Sequence, residues 1–150
     1  MQRITPYFAY ITIGQMFIFL PIFSLIIAGL LWVVFNTILG GTASFKQVLA
    51  IVTHSSVIGT LGAVLGAPIQ VLQNKVTAGG PFNLGALLPM LDQSSIPARF
   101  LGFTSVFQIW GFIVIGIGLA VLYRRKSATI IIGLILAYSL IAMGIMSAFS

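Results

Sequence analysis

An all-α, polytopic integral membrane bundle of four transmembrane helices is the fold class this sequence predicts, and three observations predict it. Of its 150 residues 59% are apolar and only 5% charged, whereas a water-soluble domain carries about a quarter charged residues. The eight charges, at Arg3, Lys46, Lys75, Asp92, Arg99, Arg124, Arg125 and Lys126, leave charge-free intervals of 42, 28, 24 and 24 residues at 4–45, 47–74, 100–123 and 127–150. Each exceeds the roughly 20 residues that cross a hydrocarbon core about 30 Å thick. Seven of the eight are basic and they punctuate the apolar runs, as topology signals at membrane faces do.

The first helix begins at Thr5-Pro6, a cap followed by proline at the first helical position, where its missing N–H costs nothing. Tyr7 and Tyr10 suit an interface, and the first span covers 16–39, with Pro21 as a candidate kink. No cleavable signal peptide is expected, because the apolar stretch is too long and lacks a small-residue cleavage pattern. Gly40-Gly41 ends this helix. Ser44-Phe45-Lys46-Gln47 then has the S-x-x-Q form of a capping box, so the second span covers 46–67 and stops at Pro68. The stretch 68–99 holds four of the six prolines together with Asp92-Gln93-Ser94-Ser95. It reads as a loop, with Leu84–Leu91 as a short interfacial helix. The third and fourth spans, 100–123 and 127–148, are separated only by Arg124-Arg125-Lys126, and so short a link forces an antiparallel hairpin. No repeat or linker divides residues 1–150, which form a single domain in this reading.

Orientation follows from the Lys and Arg count near span ends. Lys46 and Arg124, Arg125 and Lys126 share one face, Arg3, Lys75 and Arg99 the other. The compact triplet is assigned to the cytoplasm, which leaves both termini outside.

Small residues recur at fourth positions. The second span carries Ser55, Gly59, Ala63 and Ala67 beside Gly62 and Gly66, the third Gly116 and Ala120, the fourth Gly133 and Ala137. In lipid, apolar surface gains nothing by leaving lipid tails, so close packing of small residues drives helix association instead. The second helix is therefore expected at the centre of the bundle, with these positions serving internal packing or an oligomer interface.

Chemistry-bearing residues are few. With no cysteine there is no disulfide framework, thiolate nucleophile or cysteine metal site. One histidine, one aspartate and no glutamate leave little for acid/base work, and no G-x-S-x-G elbow is present. No enzymatic activity, cofactor or metal is expected. A basic excess can mark nucleic-acid binding, but that needs the charges clustered on one face of a soluble domain. His54 is the sole titratable group within a span, and such residues are candidate functional sites by default. It reads either as a packing histidine hydrogen-bonded by Thr53, Ser55 and Ser56, or, with those serines, Asn36 and Gln108, as the lining of a polar path. Asp92 caps or pairs locally.

Gly40-Gly41, the Ser44-Phe45-Lys46-Gln47 start and the small-polar Thr53-His54-Ser55-Ser56 middle together resemble a core helix of the Yip domain family, named for Ypt-interacting proteins. Leu88-Pro89, Phe100-Leu101, Phe107-Gln108-Ile109-Trp110, Gly116-Ile117-Gly118 and Tyr123-Arg124-Arg125-Lys126 follow the family's order, so the resemblance covers roughly residues 30–150. Two departures stand out. Ser105 occupies a position where members often carry aspartate, and the family is described with five spans and an N-terminal cytosolic segment, against four here. A shortened, prokaryotic-type member without the first span is the expectation. The resemblance implies a non-catalytic multi-pass membrane protein in a bacterial cytoplasmic membrane, acting on the bilayer, on itself or on other membrane proteins. A small GTPase partner follows only by analogy with eukaryotic relatives, which are associated with vesicle trafficking. The rival expectation is a small-solute or ion transporter or channel subunit.

Overall fold

The computed structural model describes residues 5–74, 77 and 79–149, and among these it is helical with no strand. Four helices are long and apolar enough to cross a membrane. Arg3 and Lys75, assigned above to one membrane face, lie outside the described residues, and the capping side chain of Thr5 lies outside the described side chains. The chain forms two compact units, residues 1–53 and 54–150.

In the first unit, α1 (Thr5–Val33) continues through Pro21 and widens into a π-helical turn, Val34–Ile38, closed by Leu39 N–H donating to the Val34 carbonyl at 3.0 Å. Gly40 then takes φ +71°, a left-handed conformation that a side chain would oppose. Trp32 Nε1 and Asn36 Nδ2 both donate to the Ala43 carbonyl, at 3.0 and 2.6 Å, occupying its two lone pairs. The capping box forms as its spelling predicts: Ser44 N–H donates to Gln47 Oε1 at 3.0 Å and Gln47 N–H to Ser44 Oγ at 3.4 Å. From this cap springs α2 (Phe45–Gln73), whose Phe45 ring meets Trp32 edge-on at 6.4 Å.

The remainder of α2 belongs to the second unit, and it corrects the sequence reading. Rather than stopping near Ala67, the helix passes through Pro68 to Gln73, because in lipid the carbonyl a proline frees is one local defect in a ladder that has no aqueous alternative. It ends where Asn74 turns left-handed at φ 49°, a common helix stop. The interfacial helix expected over Leu84–Leu91 shrinks to a single 3₁₀ turn, Leu84–Leu87, capped by Asn83; Pro89 cannot continue it. The third span does not start at Phe100. A short α3 (Ile96–Phe103), capped by Ser95, breaks at Thr104-Ser105, and α4 (Val106–Tyr123) starts afresh. The fourth span, α5 (Ser127–Ala148), has the expected bounds.

The α4–α5 pair is the tightest in the unit. Arg124, at φ 52°, turns the chain between them, and Arg125 N–H closes α4 on the Ala120 carbonyl at 3.0 Å. Buried residues here are Ala98, Leu119, Ala120 and Ile130, with polar Ser55 and Thr104 and the glycines Gly66 and Gly116. The middle of this unit is α4, which meets α2, the connecting loop and α5; its part of α2 joins through two glycines rather than as a central helix.

Candidate functional site

The break between α3 and α4 gathers most of the unit's polar chemistry. The break lies just outside the candidate span that begins at Val106; it takes backbone groups out of the helical ladder, and the loop before α3 satisfies them. Leu84 N–H donates to the Thr104 carbonyl at 2.8 Å and Val106 N–H to the Phe82 carbonyl at 3.1 Å, the two bonds of the Asn83–Ser105 bridge. Glycines let the strap seat. A Cβ on Gly79 would collide with the Gly102 carbonyl, and one on Gly85 would stand 3.1 Å from the Gly102 nitrogen. Ser105 caps α4, its Oγ accepting the Gln108 N–H at 3.1 Å. Serine and aspartate are interchangeable in that task, so the departure noted at this position leaves the cap intact.

Beside the break, the Thr104 hydroxyl donates to the Phe100 carbonyl at 2.9 Å. That commits its proton, so the single phenolic proton of Tyr138 is shared between Thr104 Oγ1 and Gln108 Oε1, each 3.3 Å away. The Tyr138 ring packs on Phe100 and Phe112 at centroid separations of 5.8 and 5.1 Å. Gln108 is thus a structural anchor that ties α4 to α5 through Tyr138, and neither Tyr138 nor its other partner Thr104 is singled out by the sequence. Tyrosine in an apolar helix was a signal, since its hydroxyl demands a partner in lipid.

An open groove of about 490 Å³ adjoins this network. One wall is the small face of α2, Gly59 to Gln70; the other is Pro81, Phe82, Phe107 and Gln108. Within it Phe107 lies over Gly62, 2.8 Å from where a Cβ would stand, and Pro81 lies over Gly66 at 3.0 Å. Ala63 and Gly59 remain exposed, with nothing within 4 Å of a Cβ on Gly59. In the hairpin, Gly116 receives Ile131 at closer than contact distance and Ala120 is buried, whereas Gly133 is open and Ala137 exposed.

The polar residues read from sequence do not share one face. Successive helical residues point about 100° apart; accordingly His54 and Ser56 are exposed while Ser55 is 3% exposed. None of the three lines the groove, and Asn36 serves the turn before α2. Lys46, Arg124, Arg125 and Lys126 are all exposed, the last three at the α4–α5 turn. Asp92 pairs locally: Ser94 donates to its Oδ1 from the backbone at 3.1 Å and from the hydroxyl at 2.8 Å, which holds the carboxyl below its ordinary value. Among the described residues no three metal-ligating side chains cluster.

Searches among curated proteins and among solved structures find no significant match. The family model described as the Yip1 domain, however, matches residues 3–148. That reaches well ahead of residue 30, so α1 falls within the match as fully as the hairpin does. With nearly its whole length covered and four apolar helices long enough to cross a bilayer, this chain belongs to the Yip1 domain family of multi-pass integral membrane proteins.

Proposed function

We propose that this protein is a non-catalytic membrane scaffold that organises or traffics membrane components through helix contacts with itself or with other membrane proteins. The division among its glycines carries the reading. Gly62, Gly66 and Gly116 already receive Phe107, Pro81 and Ile131, while Gly59 and Gly133, set in the same small-residue spacing, meet nothing. Since close approach at small residues is what holds helices together in lipid, open positions of this kind suit a partner helix. The short loops and the Tyr123-Arg124-Arg125-Lys126 hairpin support a bacterial cytoplasmic membrane as its site. A small GTPase partner rests on family analogy alone, and no residue of this chain is assigned to it.

The rival reading, a transporter or channel subunit, draws on the groove at Gln108. It is disfavoured because Gln108 is engaged by Tyr138 and His54 lies off the groove. Reconstituted full-length protein separates the two. The scaffold reading expects Gly59→Leu and Gly133→Leu to weaken energy transfer between labelled copies, or copurification of a stoichiometric partner, with no solute flux affected. Flux through liposomes that His54→Ala abolishes would overturn it in favour of transport.

A further inference from the structure

We propose that Leu87–Met90 is a membrane-inserting tip, docked among lipid acyl chains just beneath the headgroups on the face opposite the Arg124–Lys126 turn. That basic turn marks one boundary of the bilayer. Phe107 stands 16 residues from Tyr123 along α4, about 24 Å at 1.5 Å per residue, close to the far edge of a hydrocarbon core about 30 Å thick. At this level the Asn83–Ser105 bridge fastens the loop to the start of α4. On the other side of the tip, α3 returns inward: its Phe100 touches Tyr138, which lies 11 residues from Ser127, about 17 Å along α5. The tip is therefore fastened at one end beside the hydrocarbon boundary and at the other by a helix that reaches in toward the middle of the bilayer.

What the tip presents fits that place. Leu87 is 68% exposed, Leu88 49% and Met90 99%. Exposed apolar side chains outside the spans gain by leaving water, and the adjacent apolar phase is the outer edge of the bilayer the flanking helices already cross. The unbranched Met90 adapts to such a disordered environment. The exposed polar residues Asp92, Gln93 and Ser94 follow immediately, with Ser94 folded onto Asp92, so the chain changes from lipid-facing to water-facing within two residues.

The chain contains no cysteine, so Met90→Cys and Gln93→Cys each carry one nitroxide label in the full-length protein, reconstituted in phosphatidylcholine–phosphatidylglycerol vesicles. Both sites are exposed, so the label displaces no packing. The ratio of oxygen to water-soluble nickel-chelate accessibility should be several-fold higher at 90 than at 93. Equal ratios would overturn the inference by placing the tip in water. Spectral broadening at 90 that grows with protein density would also overturn it, by assigning the tip to a second copy. Neither result bears on the open glycines of α2 and α5, so failure here and failure of the scaffold reading are told apart.

Discussion

The first helix and the α3–α4 break solve the same problem in opposite ways. Most described large side chains of α1 are exposed, Phe17 and Phe19 by 76% and 64%, and its regularity needs little from a partner because, apart from the one bond that Pro21 removes, its interior peptide groups are satisfied within the helix. The break is a place where the helix fails, so each freed group must find a partner elsewhere. Phe82 and Leu84 supply the backbone bonds, and Tyr138 and Gln108 gather at Thr104. An uninterrupted apolar run is thus autonomous in lipid, whereas an interruption forces tertiary structure around it. Packing in this chain concentrates where the ladder is cut or a glycine admits a neighbour.

Five substitutions break or sharpen that contrast, all read as the free energy of SDS-induced unfolding in bicelles. The largest effect belongs to Gly116→Leu, which drives a side chain into Ile131 and should cost about 3 kcal/mol; near-wild-type stability would mean the hairpin can part freely there. Gly62→Leu meets Phe107 at Cγ and at the backbone-fixed Cβ, 2.8 and 3.0 Å from the added Cβ, so α4 must shift and about 2 kcal/mol is expected. Tyr138→Phe keeps the ring contacts and removes the shared proton, for about 1 kcal/mol; no loss would show that water already serves Thr104 and Gln108. In the first unit, Ser44→Ala deletes one half of an exposed capping box and should lose about 0.5 kcal/mol, and a larger loss would show that the start of α2 depends on its cap more than an apolar helix in lipid should. Gly59→Leu closes the series with a change within about 0.5 kcal/mol, and marked destabilisation would show that its open surroundings are filled in the membrane.

Much of the fold is legible in the spelling of the chain. Ser44 and Gln47 announce their cap because both bonds of a capping box are local, and Arg124–Lys126 announces the hairpin because three residues leave no other geometry. The end of α2 was misread at Pro68 since a proline rule learned in water overstates its power in lipid. Thr104-Ser105 escaped notice as a break because the one local signal, Gly102, is of a kind common in membrane helices, and the bonds that stabilise the break come from about 20 residues upstream, in the loop that pairs with it. Among the site residues, Gln108 was found but its role was not: whether an intramembrane amide lines a wet path or holds helices together depends on Tyr138, 30 residues away.

By itself the sequence determined the solvent, the number of long helices, the hairpin and the one capping box, because partition into lipid depends on composition and caps and tight turns on neighbours in the chain. Only the tertiary structure decided which glycines are filled, which polar side chains meet, and that the long loop straps a broken helix at the bilayer's edge. Those outcomes turn on approaches of about 3 Å between residues far apart in sequence, a scale at which one side chain's presence or absence on the opposing element changes the result.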